Sequence, residues 1–167
     1  MDLLSEMETR PSGRSAQSRR KRSAARFYAV QALFQMEASG EALSHVEHEF
    51  EAFRIGAEAD GFSWVDADLN HFRALLRASV THQAQIDQVA DRALNANWPL
   101  GRVDPTLRAV LRAAGAELLD RDTPVKVTVT EFVEVTKAFF PDSKEPKLVN
   151  AVLDYMARDL KPGAFTA

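Results

Sequence analysis

From Phe27 to Leu160 the apolar residues recur every three or four positions, and Pro or Gly interrupts the pattern at intervals of one helix length. That periodicity is the main constraint on the fold, because a stripe repeating near 3.6 residues fits one face of an α-helix and not a β-strand. Phe27, Val30 and Phe34 mark a first helix from about Arg19, with Ala24, Ala25, Ala29 and Ala32 as filling and Gly40 as its end. Leu43, Val46, Phe50 and Phe53 mark a second helix over 42–54, and 55–63 with Gly56 and Gly61 reads as a loop. Leu69, Phe72, Leu76 and Val80 mark a third over 65–81; Ile86, Val89, Ala90 and Ala93 mark a fourth over 85–94. The segment 95–101 is a connection. Asp104 then offers an N-cap and Pro105 a first helical position, where a missing N–H costs nothing. Leu107, Val110, Leu111, Ala114 and Leu118 carry that fifth helix to about Arg121.

The stretch 125–140 satisfies two templates. Val125, Val127 and Val129 alternate as in a strand. Val125, Val129, Phe132, Val133, Thr136 and Phe140 make a helical stripe that covers more of the length, so helix is favoured. A last helix starts near Pro146, buries Val152 and Leu160, and ends at Pro162-Gly163. No βαβ alternation and no internal repeat is found, so the expected class is all-α. A length of 167 residues fits one domain, or two small bundles sharing a core, and an apolar share of 46% is enough to fill it.

Charge is distributed unevenly over this scaffold. Arg10, Arg14, Arg19, Arg20, Lys21, Arg22 and Arg26 fall in one stretch without an acid, while the whole chain has formal net charge −3. A basic arm on an acidic body attracts a polyanion, most commonly nucleic acid. Arg22 and Arg26 lie four apart, so they share a face of the first helix, with Arg19 near them. Residues 1–18, with Pro11, Gly13 and no apolar period, read as a disordered tail. There is no Cys, which excludes disulfides and thiolate metal sites. With no secretory leader pattern and no span-length apolar run, a soluble cytoplasmic protein is expected.

The arrangement as a whole resembles the NusB family of bacterial transcription antitermination factors. Arg19-Arg20-Lys21-Arg22 followed by Ala29-Val30-Gln31-Ala32-Leu33-Phe34 is similar to that family's arginine-rich start and first helix. Val110-Leu111-Arg112 with Glu117-Leu118 resembles its fifth helix. Pro124-Val125-Lys126-Val127 with Glu131, Val133-Glu134 and Lys137 resembles its sixth, and Lys147 through Asp154 its last. The resemblance implies seven helices in two packed bundles, about 19–81 and 85–162, and helix over 125–140. It also implies a function without catalysis: pairing with the ribosomal protein NusE, binding boxA-type single-stranded RNA, and acting on elongating RNA polymerase together with other Nus factors.

On that basis the RNA-facing candidates are Arg14, Arg19, Arg20, Lys21, Arg22, Arg26, Phe34, Lys144 and Lys147. Arginine forks match phosphate oxygens and stack on bases. Phe34 stands where the family often has Tyr; it keeps the stacking face and lacks the hydroxyl, and core packing is its plain alternative. Before the last helix the family shows an acid, Ser, His, Lys and Phe, where this chain has Lys144, Glu145, Pro146, Lys147 and Leu148. Leu107, Arg108 and Leu111, on the helix implied to face NusE, are the partner-binding candidates, with a buried Leu107 as the alternative.

His45 and His48 lie three apart beside Glu49, but no HExxH occurs, and neither a metal site nor a cofactor is expected. Asp66, Asp68, Asp87 and Asp91 have no nucleophile or convergent His placed beside them, so no hydrolytic centre is expected. Two other functions compete. A NusB-like domain serving an RNA methyltransferase requires a methyl-donor domain, and the chain stops at Ala167. A homo-oligomeric adaptor would hide its RNA face by self-association.

Overall fold

In the computed structural model the described residues are 13–59, 62–94 and 99–165. Among them are seven α-helices: α1 Gly13–Ser39, α2 Leu43–Phe53, α3 Leu69–Thr81, α4 Gln83–Ala93, α5 Pro105–Leu118, α6 Val125–Phe139 and α7 Glu145–Leu160. The stretch 125–140, open to two templates in sequence, is helical over 125–139. A minimal antiparallel hairpin, β1 Glu58–Ala59 with β2 Phe62–Ser63, stands in the segment read as a loop. Helices α1, α2 and α3 pack together, as do α4, α5, α6 and α7, and the two bundles meet where α1 and α3 cross α5 and α1 meets α6.

The boundaries follow local chemistry. Gly40 takes φ +73 and returns its N–H to Met36 O at 2.9 Å, a left-handed stop that L side chains rarely adopt. Asp68 caps α3 by accepting from His71 N at 3.0 Å, and Asp104 caps α5 by accepting from Thr106 N at 2.8 Å. Helix α1 begins at Gly13, so residues 13–18 are helical and not part of a disordered tail. The rest of the expected tail, residues 1–12, lies outside the described residues, as do positions 95–98 of the expected connection.

The buried stripe of α1 is rotated from the expected one. Ala25, Tyr28, Ala29, Val30, Ala32 and Leu33 are buried, Phe27 is half-buried, and Phe34 is 41% exposed. Small alanines let α5 approach closely, and the larger Phe34 is left at the edge. Phe53, Leu69 and Val80, also expected inside, are exposed. Helix α5 is the centre of the molecule: Leu107, Val110, Leu111, Ala114 and Leu118 are all buried. Gly115 lets α4 approach α5, since a Cβ there would sit 2.5 Å from Ile86 Cγ2.

Candidate nucleic-acid interface

The basic arm becomes the N-terminal turns of a 27-residue helix, so its charges are held at helical spacing. Arg19 and Arg20 are exposed and make no ion pair with a described residue. Together with Ala16, Ser23 and Val65 they line an open concavity of about 480 Å³. Arg22 is half-buried. Lys21 is fixed to the strand side of the molecule: its Nζ lies 3.2 Å from Asp66 Oδ2, and its carbonyl accepts from Asp68 N at 3.0 Å. For Arg14 the backbone is in α1, and its side chain lies outside the described residues.

Arg26 is a correction. It is 2% exposed, and its Nε donates to Glu117 Oε1 at 2.8 Å. Its Nη1 lies 3.3 Å from Glu131 Oε1. His71 Nε2 reaches the same Glu117 oxygen at 2.6 Å, and Thr128 Oγ1 donates to Glu117 Oε2 at 2.8 Å. Ser23 Oγ donates to Glu131 at 2.9 Å. This buried network ties α1 to α3, α5 and α6, so Arg26 positions the arm and is not open to RNA. Burial pushes the Glu117 carboxyl up, but hydrogen bonding from His71, the Arg26 charge and the Thr128 hydroxyl together hold it below its ordinary value. A signal for the network exists in the sequence: one base on the apolar face of α1 and one acid within Ala113-Ala114-Gly115-Ala116-Glu117-Leu118.

Phe34 is exposed. It lines a cavity of about 500 Å³ with Gln31, Gln35, Arg54, Thr106 and Phe139. Lys144 and Lys147 are exposed at the start of α7, a few residues beyond Phe139.

The partner-binding candidates do not form a surface. Leu107 and Leu111 are each 1% exposed, because the apolar stripe of α5 faces the core. Arg108 is held by Glu37 and donates from Nη1 to the carbonyls of Leu100 and Val103 at 3.1 and 3.0 Å. Its hydrogen bond holds the Glu37 carboxyl below the usual carboxylate range. Two of the three are core residues, and the third is engaged by an acid and two carbonyls.

The carboxylates weighed for hydrolysis have structural partners. Asp66 pairs with Lys21, Asp68 caps α3, Asp87 pairs with Arg112 at 2.9 Å, and Asp91 accepts from Leu100 N at 2.9 Å. Glu41, His45 and Glu49 converge within metal-ligand distance, and His45 Nε2 lies 2.9 Å from Glu41. The Arg54 guanidinium, 3.1 Å from Glu49, fills the cationic role there. Among the described residues no helix is long and apolar enough to cross a membrane.

The described residues form a helical scaffold in which Arg19 and Arg20 stand exposed near the head of one long helix. The NusB family model matches residues 23–158, and the chain belongs to the NusB family. It is 47% identical to a transcription antitermination protein NusB of Sinorhizobium fredii over 93% of this chain and 97% of that protein. It is 50% identical to one of Mesorhizobium japonicum over 84% of this chain and 91% of that protein. Among solved structures, NusB of T. maritima superposes with TM-score 0.69 at 29% identity, covering 86% of this chain and 96% of that one. A chain from a crystal structure of antitermination factors NusB and NusE in complex with dsRNA matches with TM-score 0.62. At 22% identity over 84% of this chain and 98% of that chain, it shows the shared fold.

Proposed function

We propose that this chain is an RNA-binding transcription antitermination factor. It pairs with the ribosomal protein NusE, binds boxA-type single-stranded RNA of nascent transcripts, and suppresses termination as part of the elongating polymerase complex with other Nus factors. It is not an enzyme. A protein with this task works in the cytoplasm. The observation that carries the reading is membership of the NusB family over most of the chain, joined to a pair of arginines near the head of α1 that are exposed and make no ion pair with a described residue.

Arg19 and Arg20 lead the RNA contact, with Arg14, Lys21 and Arg22 beside them, Phe34 as a stacking surface further along α1, and Lys144 and Lys147 as additional cations. Single-stranded RNA suits this set, because its backbone follows an arm and its bases are free to stack. The test is a titration of labelled boxA-like and scrambled RNA at two salt concentrations, with and without NusE. Preference for boxA, strengthened by NusE and weakened by salt, is expected. Equal affinity for scrambled RNA under all four conditions overturns the reading. Sedimentation with and without RNA separates it from a self-associating adaptor.

A further inference from the structure

A second concavity of about 460 Å³ adjoins the arginine pair. It lies between α1, the end of the hairpin and α6, and its floor is Phe27, Tyr28, Trp64, Val65 and Val135. Ser23 and Val65 line both this groove and the one holding Arg19 and Arg20, so the two are continuous. Trp64 is 41% exposed and Val65 66% exposed, an unusual outlay of apolar surface beside cations that pair with no described residue. The segment carrying them is anchored: Tyr28 Oη donates to Val65 O at 2.6 Å, and Trp64 N donates to Ala57 O at 2.8 Å. At the far end Phe27 stacks on Phe139 with centroids 4.9 Å apart, and Phe139 belongs to the Phe34 cavity. Ala16, Arg20, Ser23, Phe27, Gln31, Phe34 and Ala38 thus form one stripe along α1, about 33 Å long at 1.5 Å per residue.

We propose that the Trp64 groove is a stacking subsite for unpaired nucleobases, placed between the phosphate-binding arginines and Phe34. This rests on the RNA-binding reading above and adds a residue to it. Cations alternating with aromatic faces are what a single strand needs: phosphates pair with Arg19 and Arg20, and the adjoining bases turn onto the indole. The cations of the adjoining arginine concavity favour RNA over an apolar peptide at this end. On the opposite rim the two carboxylates are engaged, Glu131 by Ser23 and Arg26 and Glu134 by Lys137.

The experiment uses the full chain and a single-stranded boxA-like RNA. Trp64→Ala is expected to weaken binding about tenfold, Trp64→Phe distinctly less, and neither should alter the salt slope. Unchanged urea midpoints establish that both variants are folded. In a Trp98→Phe background, RNA should quench the remaining indole, whereas inorganic polyphosphate, which has no bases, should bind without quenching. Wild-type affinity in Trp64→Ala, beside lost affinity in Arg20→Ala, overturns the subsite and leaves the RNA-binding reading standing. Trp64→Ala with intact RNA affinity but lost NusE binding assigns the groove to protein and also overturns it. No RNA binding by the wild-type chain overturns both.

Discussion

Arg20 and Arg26 sit six residues apart on one helix and have opposite roles. Arg20 is exposed and makes no ion pair with a described residue; Arg26 is 2% exposed and held by two carboxylates. Six residues are about 600° of helical turn, so the two side chains leave α1 on different faces. The upper turns project beyond the bundle, and the turn holding Arg26 runs between α3, α5 and α6. A run of like charges is therefore not one functional unit. Its outer part is available to a polyanion, and its inner part is the root that fixes the direction of the rest.

The comparison is tested most severely by Arg26→Ala. Removing it strips the buried Glu117 carboxylate of its arginine and leaves only His71 and Thr128 on it, and breaking a buried pair costs about 3–5 kcal/mol. The urea midpoint should fall accordingly, with RNA affinity lost only as far as α1 loosens. A variant with wild-type stability and weak RNA binding would put Arg26 back among the RNA contacts.

Acid should act on the root before the arm. The Glu117 carboxyl lies below its ordinary value in the folded chain, so its contribution is complete above the unfolded value of about 4.3 and is lost as pH falls through the lower folded one. Glu117→Gln is expected to cost about 1–3 kcal/mol at pH 7, and the gap from wild type should close as pH drops below about 4. Melting curves from pH 7 to pH 3 measure this; a gap independent of pH would mean that the charge of Glu117 is immaterial.

The same contrast explains how much was legible in the sequence. Helix order, the Asp104-Pro105 start and the Gly40 stop are local signals, readable because caps and periodicity act within one or two turns. The faces of α1 were not, since a helix packed on several neighbours buries more than one stripe, and only tertiary contacts decide that Tyr28 goes in and Phe34 stays out. Leu107, Arg108 and Leu111 failed as partner contacts for a related reason: in the most central helix no apolar face is spare. Trp64 went unnoticed because it lies between periodic segments, where no stripe marks it as inside or outside.

Arg20→Ala probes the arm directly. Its side chain packs on nothing in the core, so stability should stay within about 0.5 kcal/mol of wild type. Affinity for boxA-like RNA should fall about fivefold, and the slope of log K against log salt should shrink by about 0.7, the contribution of one neutralised phosphate on a single strand. A full loss of affinity with an unchanged slope would instead mean that Arg20 reads a base.

Lys21 lies between the two extremes and should show the smallest effect. Its ammonium pairs with Asp66 at 3.2 Å, with both side chains well exposed, and such a pair contributes about 0–1 kcal/mol because solvent screens it. Its carbonyl, which accepts from Asp68 N, is unaffected by side-chain replacement, so α1 and the start of α3 stay joined in Lys21→Ala. The expected result is a urea midpoint close to wild type and an RNA salt slope reduced by less than in Arg20→Ala, since the ammonium is already shared with a carboxylate. Asp66→Asn should act the other way, freeing Lys21 and raising RNA affinity slightly at low salt. If Asp66→Asn left affinity unchanged while Lys21→Ala weakened it as much as Arg20→Ala, the ion pair would have no bearing on RNA, and Lys21 would belong with the outer arginines.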